Sequence, residues 1–259
     1  MDRIAITGAA GRIGATVLPL LRRPEREFVL IDSKRVSSAA SDDVVIELDI
    51  LDRDALREAF RGADTVIHLA GIPSETAWED LLQTNIDGTQ AVLEAAKDAR
   101  VGSIMLASSI HAVGMSTMED ARRTGTLIPR PEGFYGVSKA AMEALGSMYA
   151  DRYGMTVVSA RICAFSDDPE SGLGPQTWFA PADAARLIEA VHALDRPGHH
   201  IVWGVSATGA DALEVAEGQG IGFHPAERAA VSASSALAPD TRLAGPAAEA
   251  RNMPGEHWS

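Results

Sequence analysis

The stretch Thr7 to Gly14 reads TGAAGRIG, and it constrains the fold more than any other part of the chain. Ile4, Ala5 and Ile6 before it are compact and apolar, as a buried strand requires. Ile13, Val17, Leu18 and Leu21 after it recur at helical spacing. The glycines therefore lie between a strand and a helix, which makes them more informative than an ordinary turn. Gly8 can take a tight turn, Gly11 lets the backbone approach a pyrophosphate, and Gly14 lets helix and strand pack closely. The helix start at Arg12 and Ile13 offers free N–H groups to an anion. The spacing is GxxGxxG, and the turn reads as a dinucleotide site.

The chain beyond it alternates strand and helix. Phe28 to Ile31 forms a second strand ending at Asp32, where a carboxylate can accept hydrogen bonds from ribose hydroxyls and repel a 2′-phosphate. That selects NAD, although Lys34 and Arg35 could pair with a phosphate and leave NADP open. Val44 to Leu48 is a third strand, closed by Asp49 and Ile50, which could flank adenine; Ala55, Leu56, Ala59 and Phe60 fit one helix face. Thr65 to Leu69 runs into Ala70, Gly71 and Ile72, a small-residue turn against the cofactor. Residues 78–99 are broadly helical, interrupted at Asn85 and Gly88, and Asn85 reads either as a cofactor contact or as a buried structural residue. Ser103 to Ala107 ends in Ser108, Ser109, Ile110 and His111, at the edge where ligands bind in open α/β sheets.

Residues 115–132 are polar and read as a loop over the site. A helix then begins near Gly133 and carries Tyr135 and Lys139 on one face, so an ammonium can sit beside a phenol. Met155 to Ile162 is a sixth strand, 164–178 a substrate lid or simple linkage, Pro181 to Leu194 a helix, and Ile201 to Val205 a last strand. From Ala226 the chain turns to alanine, serine and proline, a tail read as disordered or as an oligomer arm. The expectation is an α/β fold: a Rossmann-type doubly wound parallel sheet with a small C-terminal substrate lobe. It is one domain over 1–259, with 1–163 plus 200–206 as the dinucleotide-binding core and 164–199 plus 207–259 as substrate lobe and tail.

The net charge of −13, with no basic run, argues against nucleic-acid and anionic-membrane partners. Cys163 is the one cysteine, so there is no disulfide framework and no zinc-ligand spacing. A reactive thiol is disfavoured because no basic partner is close in sequence. No apolar run approaches the ~20 residues of a membrane span. A soluble cytoplasmic protein without a metal is expected.

Together, TGAAGRIG, Asp32, Ser108–Ser109 and Tyr135-Gly-Val-Ser-Lys139 resemble the short-chain dehydrogenase/reductase family in its extended branch, also described as NAD-dependent epimerases and dehydratases. The resemblance reaches to about Val205. It implies Tyr135 as general base, Lys139 lowering its pKa and binding the nicotinamide ribose, and Ser109 holding the substrate hydroxyl. It also implies backbone contacts to the nicotinamide near Ala107, Ile162 and Cys163, and a homo-oligomer. The physics agrees, because a nearby ammonium and a cationic nicotinamide both favour phenolate. His111 either donates to a substrate oxygen or satisfies a backbone carbonyl.

Within that family the chain resembles the uronate dehydrogenases, through His68-Leu-Ala-Gly-Ile72, Ala107-Ser-Ser-Ile-His111, Arg130 to Lys139, Thr177-Trp-Phe179 and Val202 to Ser206. It departs from them at Ile110, Pro73 and Ala164, where they carry polar residues. It departs again at Leu173, which stands where they carry an arginine for the sugar carboxylate. Arginine suits carboxylate recognition and leucine offers no donor. The expectation is therefore an NAD-dependent oxidation of a hydroxyl, including an anomeric one, on a small neutral sugar or alcohol. The alternatives are uronate oxidation, epimerase or dehydratase chemistry, and a non-catalytic dinucleotide sensor.

Overall fold

The structure is a computed structural model, and it describes residues 2–124, 126–207, 213, 215–229 and 237–245. The first half runs β1 (Asp2–Thr7), α1 (Arg12–Leu21), β2 (Arg26–Asp32), β3 (Val44–Glu47), α2 (Arg53–Ala59), β4 (Thr65–His68), α3 (Trp78–Leu81), α4 (Gly88–Ala99) and β5 (Ser103–Ser109). The second half runs α5 (Met118–Arg123), α6 (Phe134–Tyr153), β6 (Thr156–Ile162), β7 (Ala164–Phe165), β8 (Trp178–Phe179), α7 (Pro181–His192), β9 (Gly198–Gly204) and α8 (Ala216–Gly220). Seven strands form a parallel sheet in the order β3-β2-β1-β4-β5-β6-β9, the Rossmann-type arrangement expected. Strand order reverses between β1 and β4, so the crevice for a ligand opens at the carboxyl ends there.

Side chains alternate across the strands and build a core on each face. Ile4, Ile6, Phe28, Leu30, Ile67 and Val158 pack with Leu18, Leu187 and Ile188 of α1 and α7. Ala5, Val29, Val66, Ile104 and Leu106 pack with Leu56, Val92, Leu93 and Met142 of α2, α4 and α6. Each such leucine or isoleucine contributes about 1.5–3 kcal/mol on burial. Helix α6 lies close on the sheet because residue 146 is glycine: a Cβ there would come within 3.0 Å of Leu106 and 3.1 Å of Val157. That seating brings the start of α6 to the carboxyl edge.

Several elements differ from the sequence expectation. Residues Leu82–Asp87 form a π-helical segment between α3 and α4, which is the physical form of the interruption at Asn85 and Gly88. The last strand begins earlier, at Gly198, because His199 and His200 find partners in Ser159 and Glu217. The stretch 115–132 is not all loop: α5 starts with a capping box in which Thr117 and Asp120 satisfy each other's backbone N–H groups. Within 164–178, Ala164 and Phe165 pair in parallel with Trp178 and Phe179.

The tail expectation also changes. Residues 230–236 and 246–259 lie outside the described residues, but 237–245 returns to the body as a strap along 114–119. Met118 N–H donates to Thr241 O, and Leu243 and Ala244 donate to Ser116 O and Gly114 O. Leu243 is buried against Ile110, Val113 and Met118. Among the described residues no helix is long and apolar enough to cross a membrane.

Candidate functional site

A cavity of about 590 Å³ runs along the carboxyl edge of the sheet. Gly8, Gly11, Arg12, Ile13 and Gly14 wall it on the β1 side, with Leu69 and Gly71 from the end of β4. Ala107 and Ser108 of β5, Ile162 and Cys163 beside β6, and Tyr135 and Lys139 of α6 complete the positions expected to meet a cofactor. Ile72, Pro73, Ser109, Ile110, His111, Ala164 and Leu173, the expected substrate positions, form the rest of the wall. Thr177, from the Thr177-Trp-Phe179 stretch, joins them, and so do Phe165, Ser171, Gly172, Leu243 and Ala244, which were not singled out in the sequence.

The glycine turn fits a pyrophosphate. Gly8 has φ +74°, and a Cβ there would lie 2.5 Å from Ala70 N; at Gly14 it would lie 2.7 Å from Gly8 O. No side chain caps α1 and its first turn carries no acid, so its N–H groups face the cavity available to an anion.

Five expected cofactor positions are not in the wall. Asp32 Oδ2 accepts the N–H of Ala10 and Oδ1 that of Lys34, both at 2.9 Å, so this carboxylate first braces the glycine turn. Each oxygen keeps a second lone pair for a hydroxyl donor. Asp49 is exposed and accepts from Leu51 N, while Ile50 is buried with its Cδ1 against Gly88. Ala70 presents its backbone to the back of Gly8. Asn85 is fully buried: Oδ1 accepts from Ile72 N, and Nδ2 donates to Ile72 O and Ser138 Oγ. It pins the Gly71–Ile72 turn from behind.

Lys139 is buried and its Nζ donates to Ala107 O at 2.8 Å, 5.6 Å from the centre of the Tyr135 ring. Burial brings the amine down to about 8, so it still carries a proton at neutral pH. In the protein alone, burial raises the pKa of Tyr135, the neighbouring Ser109 hydroxyl lowers it in part, and the Glu132 charge raises it further. Burial likewise pushes the Cys163 thiol up, which makes it inert at neutral pH.

The two serines separate cleanly. Ser108 Oγ donates to Glu143 Oε1 at 2.6 Å, and the same buried carboxylate receives Arg161 Nε and Nη2 at 2.9 and 2.8 Å. Ser109 Oγ instead accepts the N–H of His111 at 3.2 Å and faces the Tyr135 phenol, whose pKa it lowers in part. Among the described residues the His111 ring satisfies no backbone carbonyl. Its Nδ1 is bonded to Glu132 and its ring stands edge-on to Tyr135, centres 5.6 Å apart. No sequence pattern marks Glu132 as its partner.

Arginine is missing where the substrate wall needs it for an anion. Arg161 is committed to Glu143, and Arg186 to Asp183 and Glu227. Among the described wall residues the cationic side chains are Arg12 at the glycine turn and Lys139. Leu173 meets the strap instead: a Cβ on Gly245 would come within 2.5 Å of its Cδ2.

The profile of the NAD dependent epimerase/dehydratase family matches residues 4–171. The NAD-dependent glucose-6-phosphate dehydrogenase of Haloferax volcanii is 37% identical over 228 residues, covering 80% of this chain and 86% of that protein. The uronate dehydrogenase of Pseudomonas putida is 34% identical over 245 residues, covering 92% and 91%. The crystal structure of uronate dehydrogenase from Agrobacterium tumefaciens superimposes with a TM-score of 0.85 at 28% identity, over 96% of this chain and 97% of that one.

Proposed function

The chain belongs to the NAD-dependent epimerase/dehydratase family, and from that premise we propose that it oxidises a hydroxyl of a small neutral sugar, an anomeric hydroxyl included, with NAD. The observation that carries the reading is the cavity itself, which joins the glycine turn to Ser109, Tyr135 and Lys139 and closes on Leu173, Leu243, Ile110 and Ala164. Bound NAD supplies a cationic ring that accepts the hydride from the carbon. Ser109 and Tyr135 hold the substrate hydroxyl, and the Tyr135 oxygen takes its proton as the carbonyl forms. Lys139, fixed by Ala107 O, lies where a ribose hydroxyl can share its ammonium. Asp32 selects NAD at the adenosine end. The same reading makes the enzyme a cytoplasmic homodimer paired through α6, on which Met148 and Tyr153 are exposed.

Ser109→Ala is expected to lower kcat about 10²-fold, as loss of one preorganised donor does. Ser108→Ala is expected to act on the fold, at about 1–3 kcal/mol, because it removes a donor from a buried carboxylate. Steady-state kinetics beside urea unfolding of both variants checks this, and the reverse pattern would exchange the two roles.

Uronate oxidation is the second reading, favoured by the likeness to the Pseudomonas putida enzyme across nearly the whole chain. The deciding experiment follows NADH formation from NAD, with NADP in parallel. Its panel pairs glucuronate and galacturonate with their neutral aldoses, pentoses and a few secondary alcohols. Turnover confined to the neutral members supports the proposal. Turnover of the uronates shows that another group replaces the missing arginine, and silence with NAD bound leaves epimerase chemistry or a sensor.

A further inference from the structure

A proton acceptor is only as good as the placement of the helix that carries it. Helix α6 begins at Phe134 behind Gly133, with no side chain of its own as a cap. The cap comes from another element. Glu75, in the loop between β4 and α3, accepts the N–H of Phe134 on Oε1 and that of Tyr135 on Oε2, both at 3.0 Å. A Cβ on Gly133 would lie 2.5 Å from Glu75 Oε2, so glycine at 133 is what admits the carboxylate. The same loop presents Ile72 and Pro73 to the cavity. It is tied to α6 a second time, because Asn85 holds both backbone groups of Ile72 and donates to Ser138. Trp78, just beyond the loop, packs against Phe134 with the two rings tilted and their centres 5.4 Å apart.

We propose that Glu75 is a positioning residue for the proton transfer: it fixes the first turn of α6, and with it the Tyr135 oxygen relative to Ser109, from the loop that walls the cavity. The inference rests on the dehydrogenase reading for its kinetic consequence, not for the contact itself. A carboxylate at a helix start satisfies two donors and complements the helix dipole, and both effects order the first turn. Tyr135 is in that turn, whereas the glycine turn for NAD is not.

Glu75→Ala is therefore expected to lower kcat by about ten- to hundredfold, the scale of a small misplacement at a reacting centre. KM for NAD and the thermal midpoint should move little. Gly133→Ala blocks the same contact from the other side, so it should reproduce the loss, and the double variant should be no worse than either single one. Glu75→Gln, which keeps one acceptor oxygen, should fall between. Additive losses, or an unchanged kcat in Glu75→Ala, would overturn the proposal. Amide hydrogen exchange at Phe134 and Tyr135 tests the tie without turnover. Faster exchange in Glu75→Ala is expected, and unchanged exchange rejects the tie even if the wild-type protein is silent on every substrate. Silence of the wild type together with faster exchange would instead fault the dehydrogenase reading.

Discussion

Tyr135→Phe is expected to cut NADH formation by at least about 10³-fold, within the range general-base removal produces. NAD binding, read by fluorescence titration, should stay within about threefold. The argument turns on what the phenol touches. Its oxygen faces the Ser109 hydroxyl, its ring stands edge-on to His111, and the Lys139 ammonium lies 5.6 Å from its centre, so losing the oxygen removes no contact from the glycine turn. The raised pKa of Tyr135 sharpens the expectation. A phenol that burial and Glu132 hold neutral needs the positive charge of an oxidised nicotinamide beside it before it can serve as base. The phenol must first release its own proton to solvent, and the phenolate then takes the substrate's hydroxyl proton as the hydride leaves the carbon; a variant with no phenolic oxygen has nothing in its place. Turnover at the wild-type rate in Tyr135→Phe would remove this residue from the mechanism.

The parts of this site legible in the sequence are those whose position follows from local pattern. Gly8, Gly11 and Gly14 sit between a continuous apolar run and a period-3.6 run, Ser109 ends a strand, and Tyr135 and Lys139 share one face of a helix. Strand ends of a parallel sheet gather at one edge, so these residues meet once the topology is known. Asn85 shows where that logic stops: a polar residue in a helical run reads as cofactor contact or as structure, and only the π-helical segment turns it toward Ile72. Glu132, Glu75 and the strap at Leu243 and Ala244 were not legible at all. Each works by a contact between segments far apart in the chain or through irregular backbone. No spacing in the sequence records that Leu243 lies 133 residues after Ile110 and packs on it.

A second large effect concerns stability in acid, through a histidine next to the site and outside the chemistry. His68 ends β4, fully buried, with Nδ1 against Thr7 Oγ1 at 2.8 Å and Nε2 against Thr89 Oγ1 at 3.1 Å. Thr89 donates its own proton to Asn85 O, so it accepts from Nε2–H, and Nδ1 accepts from Thr7. The ring is thus neutral with a defined tautomer. Burial, then the nearby Lys139 charge, brings its pKa down to about 3 from the ordinary 6.5. Between those values the unfolded chain binds a proton that the folded one refuses, so stability rises with pH there and is lost on acidification. Its contribution is complete above about pH 6.5 and falls by about 1.4 kcal/mol per pH unit below that. From pH 7 to pH 5 this amounts to about 2 kcal/mol. His199, also lowered by burial, adds in the same direction, so the wild-type slope alone does not isolate His68. The difference from His68→Gln does: urea unfolding should show the variant less stable at pH 7 but losing about 2 kcal/mol less between pH 7 and pH 5. Equal losses in the two proteins would mean that His68 is charged in the folded state. A charged ring would have to donate from both nitrogens, and the Thr7 hydroxyl would then have to turn its proton elsewhere.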